Sequence, residues 1–427
     1  MHTLSQNQKD KSSPWFLIVL FVVFPYISLL DNFVNLRVFN VSFLYLLVIS
    51  LLFFYFLFLA KKKRYYFQDL LMIICLTFIV LLLRLLIGID TEFSNPVAFL
   101  NKARWIFLIP VMIVLCREIF HRTKNINIIK MAIISSGVIS ALVAIGYYYG
   151  IHSFRILPSD VELRAIIESG EVTRVSGIWS GSNFYGGMLI LSLWMLLEKK
   201  INIFTMPFIF ILYYGILLSI SRLPIIFASL LILFYFFHYR KSKKFILTII
   251  LTSLLMFVFI GIFSGLLPLH KIYGVFSGIR ARIYTFGWEW ESLVVSRVSK
   301  SLVGLKALFS RPSFMLLGTD IESLIDPLVE RTKSSDLTFS DNSFIQGMVT
   351  VGIPVFLYFL YVCKRCFGKN FKNHSLKIYL FFIYILITLL TNNAILWDTW
   401  IFYAIMLYFL LNSNQWLTCK IYPKIKF

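Results

Sequence analysis

Long, continuous apolar runs dominate the chain, and they leave few folds open to it. A helix needs about 20 apolar residues to cross a hydrocarbon core. Runs such as 41–60, 70–89 and 131–150 meet that length without the period-two alternation of a barrel strand. In lipid, backbone N–H and C=O groups must be satisfied internally, which leaves helices or closed barrels. Apolar residues are 59% of the 427 positions, charged residues only 14%, and mean hydropathy is +0.82, well away from a water-soluble domain. The expected fold class is an all-α polytopic integral membrane protein.

Twelve spans account for the runs: 14–30, 41–60, 70–89, 105–116, 131–150, 183–197, 203–220, 223–237, 245–267, 343–362, 378–396 and 400–411. The run 203–237 is too long for one crossing and is divided at Ser221-Arg222-Leu223-Pro224, where a charge and a helix breaker coincide. With twelve spans, Lys61 to Arg64, Arg117 to Lys130, Lys199-Lys200, Arg240 to Lys244, Lys364 to Lys377 and both tails fall on one side. The positive-inside rule makes that side cytoplasmic. The predicted organisation is a cytoplasmic tail 1–13, spans one to nine over 14–267 with an outer loop at 151–182, a large outer loop 268–342, three spans over 343–411, and a cytoplasmic tail 412–427. The first run follows Lys9 and Lys11 like a secretory signal, but no Ala-x-Ala pattern precedes Asp31, so it is read as a span.

The two basic residue types divide unevenly between the sides. The inner clusters and tails hold 24 of the 41 basic residues, 19 Lys and 5 Arg; the remaining 17 comprise 12 Arg and 5 Lys. Topology explains lysine inside. Arginine outside calls for another reason, and its planar fork suits bidentate contact with phosphate oxygens. A phosphorylated, lipid-linked substrate on the outer face is the expectation. The net charge of +21 does not indicate nucleic acid, because the inner charges are scattered over short loops with no basic domain. Of 20 acidic residues, only Asp10, Asp69, Glu118 and Glu198 lie on the inner side. Cys363-Lys-Arg-Cys366 has zinc-like spacing but no second ligand pair, so neither metal nor cofactor is expected.

Polar chemistry concentrates in the outer loops. Arg174 and Gly177 precede Ser182-Asn183 and Gly186-Gly187 at the start of a span. Arg174 beside a helix start can bind a phosphate; equally, the loop can serve to cap the helix with Ser182 or Asn183, with the glycines allowing close packing. Arg222 closes a short hairpin near membrane depth, either partnered for function or snorkelling to headgroups. Arg84, within Leu-Leu-Leu-Arg-Leu-Leu, is read as structural and paired with an acid on another helix. Arg280 and Arg282 open the second loop among Tyr284, Trp288 and other rings able to stack on sugars. The 289–309 segment reads as an amphipathic helix on the membrane surface. Asp341-Asn342 sits at the mouth of the next span, where Asp341 is either an N-cap or a base for a sugar hydroxyl.

The motif order, Arg174-x-x-Gly177 with Asn183, Ser221-Arg222 between spans, a long arginine-bearing loop, then Asp341-Asn342-Ser and Gly352-Ile-Pro354, resembles the O-antigen polymerase and ligase superfamily of bacterial inner membranes. The resemblance implies a metal-independent glycosyltransferase acting on undecaprenyl-diphosphate-linked oligosaccharide, with a chain-length regulator as a further membrane partner. Ligases of the family place a histidine near the position of Asp341-Asn342; here the nearest upstream outer histidine is His270, which favours a polymerase. On that reading Arg174, Arg222, Arg280 and Arg282 bind diphosphate, Asp341 is the base, Asn342 orients, and Asn183, Tyr284 and Trp288 contact sugar. The alternatives are a ligase using His270, or a flippase for the same lipid-linked sugars.

Overall fold

A computed structural model describes residues 15–27, 37–38, 41–62, 64–87, 103–122, 126–149, 182–198, 204–219, 221–239, 301–302, 304–319, 342–367, 376–391 and 398–421. These residues are almost entirely helical, apart from a two-residue antiparallel ladder pairing Arg37 with Ser42 and Val38 with Val41. The helices are α1 (Trp15–Val23), α2 (Phe43–Lys62), α3 (Arg64–Ile87), α4 (Trp105–Arg122), α5 (Ile126–Tyr148), α6 (Ser182–Leu197), α7 (Met206–Leu218), α8 (Arg222–Tyr239), α9 (Pro312–Leu317), α10 (Ser343–Val351), α11 (Ile353–Phe367), α12 (Leu376–Thr391) and α13 (Asp398–Ile421). The predicted ninth span, 245–267, lies outside the described residues.

Helix α6 is the hub. Residues 184–197 are all buried, as a helix apolar on every side must be. It packs against α5, α7, α8 and α13. Close approach depends on small residues: a Cβ at Gly215 of α7 would lie 2.7 Å from the Tyr185 hydroxyl and 2.9 Å from Ala141 of α5. The turn between α7 and α8 falls where the sequence places it. Ser219 closes α7 by donating its hydroxyl to the Ile216 carbonyl at 2.6 Å and accepts from the Ser221 amide at 3.2 Å. Pro224 then sits in the first turn of α8, where no N–H is needed.

Two helical stretches, Phe67–Ile87 and Asn127–Tyr148, are long and apolar enough to cross a membrane, and several shorter apolar helices accompany them. Only 33% of the first is buried inside the molecule. Its buried side is a single stripe at helical spacing, Leu70, Ile73, Thr77, Val80, Leu81 and Arg84. Phe78, Ile79, Leu82 and Leu86 point away from the bundle, Leu86 being 81% exposed.

Charged groups gather where helix ends meet. Arg365 donates to Asp69 at 2.8 Å, and Lys377 reaches both Glu198 oxygens at 3.2 Å. Tyr235 also donates to Glu198, with Lys377 5.0 Å above its ring. Arg117 caps the end of α11 by donating to the Cys366 carbonyl at 3.2 Å.

The predicted span 343–362 is not one straight helix. It breaks at Gly352, with φ 81° and ψ 160°, a conformation open essentially to glycine alone. Gly318, with φ 76° and ψ −179°, crosses it. A Cβ on Gly352 would strike the Leu316 carbonyl oxygen, and one on Gly318 would strike that of Val349. Such backbone conformations cost a non-glycine residue about 1–3 kcal/mol before any clash is counted. Gly352→Ala and Gly318→Ala should therefore each lower the thermal midpoint of the detergent-solubilised protein by several degrees. An unchanged midpoint in either variant would contradict this description of the crossing.

Candidate functional site

The candidate site is built where helix starts converge. Gly186 and Gly187 occupy the second turn of α6. A Cβ on Gly186 would lie 2.8 Å from Pro224 Cγ and 3.0 Å from Ser219 Oγ; one on Gly187 would lie 3.2 Å from Trp400 and 3.5 Å from the Tyr384 hydroxyl. The start of α6 thus rests on the α7–α8 turn on one side and on α12 and α13 on the other. Tyr384 donates to the Gly187 carbonyl at 3.4 Å, and its ring lies 5.0 Å from Phe227 and 6.4 Å from Trp400. Gly186 and Gly187 thus serve close helix packing.

That packing brings two sequence-selected positions to one place. Asn183 lies in the first turn of α6 and Arg222 opens α8, next to the Pro224 on which Gly186 rests. Their side chains are outside the described residues. Two helix starts side by side turn the positive ends of two dipoles the same way, an arrangement suited to an anion. Arg174, Arg280, Arg282, Tyr284, Trp288, His270 and Asp341 also lie outside the described residues.

At the mouth of α10 the cap falls one residue later than the capping reading of Asp341 places it. Asn342 is the N-cap: its Oδ1 accepts from the Phe344 amide at 3.0 Å and the Ile345 amide at 3.2 Å. This satisfies two of the donors left over at any helix start. With Oδ1 committed to the cap, an orienting role for Asn342 falls to its amide N–H groups. Helix α10 packs against α12, the helix that carries Tyr384. Within α10, Gln346 is only 6% exposed, and its Oε1 finds no hydrogen-bond partner among the described residues.

Sequence reasoning missed Tyr384 and Trp400, because aromatic residues inside apolar runs look like core. The available signal was their position: Trp400 follows the polar Asp398-Thr399 at the start of an apolar run. Burial, then the nearby Asp69 carboxylate, pushes the Cys366 thiol up to about 12, and no cluster of three metal-ligating side chains occurs among the described residues.

Comparison with known proteins finds no matching family model, no matching curated protein and no matching solved structure.

If the Gly186–Pro224 contact sets the spacing of the two helix starts, Gly186→Leu should push them apart while leaving the rest of the bundle standing. Protein level should fall less than twofold and activity at least tenfold. Gly186→Ala should be milder, and Pro224→Ala, which removes the nearer struck atom, should restore part of its loss. Equal activity of Gly186→Leu and wild type would remove this contact from any account of the site.

Proposed function

We propose that the chain is a polytopic inner-membrane polymerase that lengthens a surface polysaccharide from undecaprenyl-diphosphate-linked repeat units on the periplasmic side. The observation that carries this reading is the seating of Gly186 against Pro224 and Ser219, which joins two elements of the motif order, Asn183 and Ser221-Arg222, that lie far apart in sequence. The membrane part of the proposal draws on the apolar outward face of α3 and on the pairing of Asp69 with Arg365 and Glu198 with Lys377, all from one side of the twelve-span topology.

In the proposed reaction, the bond between the anomeric carbon of the growing chain and its carrier diphosphate breaks. A new glycosidic bond forms to a hydroxyl oxygen of the incoming unit. The hydroxyl proton passes to Asp341, with Asn342 holding the acceptor. Undecaprenyl diphosphate departs with the bonding electron pair, and its charge is met by Arg174, Arg222, Arg280 and Arg282. Tyr284 and Trp288 offer ring faces to the sugars, and Asn183 a side-chain amide. Because the leaving group is already a diphosphate, fixed guanidinium groups can do what a bound cation does in many glycosyl transfers. Losing one such preorganised donor costs about 100-fold or more in rate, about 3 kcal/mol.

Deletion of the gene, followed by gel separation of surface glycolipids, tests the reading. The expected result is core carrying a single repeat unit, with a full ladder restored by the wild-type gene. Arg174→Ala and Arg280→Ala should fail to restore it despite normal protein levels, and lysine at either position should restore only part. Bare core with long polymer still on its carrier would instead identify a ligase. Bare core with single units held on the inner leaflet would identify a transporter. Full ladders from both Arg174→Lys and Arg280→Lys would remove the diphosphate role from these residues.

A further inference from the structure

Arg84 has no place in the proposed chemistry, yet it is the charged end of the one buried stripe on a helix that is otherwise largely exposed and apolar. It is 3% exposed, and its Nη1 donates to the Thr350 carbonyl at 2.7 Å, 266 residues away along the chain. The sequence reading gave it an acidic partner; the contact described here is to a backbone carbonyl.

The reason lies two residues beyond the helix break. In an uninterrupted helix the Thr350 carbonyl would accept from the amide of residue 354, but that residue is Pro354, which has no N–H. The Val349 carbonyl loses its helical donor as well, because Gly352 turns the chain, and it accepts instead from the Thr319 amide at 2.7 Å. Both of these carbonyls are taken by donors from elsewhere: a loop amide for Val349 and a guanidinium for Thr350. A buried backbone carbonyl without a partner is costly, and most of all in apolar surroundings. The α9 segment that supplies Thr319 packs against α3, α10 and α11, so Arg84 stands where these elements meet.

We propose that Arg84 is a positioning residue, a latch that holds the α10–α11 break open and so sets where α10 stands. The Asn342-capped start of α10 carries Asp341 immediately before it, so the latch fixes the position of the proposed base without touching substrate. The catalytic part of this inference rests on the polymerase reading; the latch itself does not.

The test compares Arg84→Met, which keeps an unbranched apolar chain without a donor, with Arg84→Lys, which keeps a long donor. Hydrogen–deuterium exchange of the purified full-length protein in detergent reads the latch, and glycolipid ladders read activity. In Arg84→Met, exchange over 343–352 and at Thr319 should rise at least tenfold while α6 keeps its protection, and ladders should shorten to one or two units. Arg84→Lys should recover most of the protection and most of the ladder length. If Arg84→Met does not accumulate, Arg84→Lys decides alone. Wild-type exchange and ladders in Arg84→Lys then uphold the latch, whereas wild-type ladders with tenfold faster exchange over 343–352 overturn its link to activity. Unchanged exchange in Arg84→Met, or an increase spread evenly over every helix, overturns the latch itself. If exchange behaves as expected but the wild-type gene forms no ladder, the latch stands and the polymerase reading fails.

Discussion

The broken helix between Ser343 and Phe367 depends on one requirement: every buried carbonyl released at Gly352 must find a donor. Gly352 and Pro354 together remove the regular donors of Val349 and Thr350. The replacements come from Thr319 and Arg84, on segments distant in sequence. Meeting that requirement binds the 312–319 segment, α3 and the broken helix into one unit. It also accounts for two glycines in conformations closed to other residues, since any side chain at Gly318 or Gly352 would occupy the space of the facing backbone.

A second unit forms around α6. Residues 184–197 of this helix are all buried, so its neighbours decide where it sits. Gly186 and Gly187 let the α7–α8 turn, Tyr384 and Trp400 come within contact distance of its second turn. At the far end, Glu198 receives Lys377 and Tyr235, which ties α6 to α12 and α8. The two units meet through α12, which packs on α10 and presents Tyr384 to Gly187.

Much of the helical framework was legible in the chain, because hydropathy reports whether a segment can be surrounded by apolar groups. The turn at 219–222 was readable from a charge and a proline falling together. The break at Gly352 was not, although Gly352-Ile-Pro354 was in plain sight. A hydropathy run measures composition and is blind to which carbonyls lose their donors. The contact of Arg84 with the Thr350 carbonyl was not legible for the same reason: a proline orphans that carbonyl, and no charge pattern records it. The helix cap fell to Asn342 rather than Asp341, a difference of one residue that local propensity does not resolve, since both are good caps. The arginines of the proposed site fall mainly in the predicted outer loops, so side asymmetry and motif order carry them.

The proposed function is the joining of lipid-linked sugars, with guanidinium groups receiving a diphosphate. The most direct measurement is reconstitution of the purified protein in lipid vesicles with undecaprenyl-diphosphate-linked repeat units and a metal chelator, with products resolved by gel. The expected products are carrier-linked ladders of two or more units, undiminished by the chelator, with one undecaprenyl diphosphate released per bond formed. Single units left unjoined, or moved across the bilayer unchanged, would contradict the proposed function.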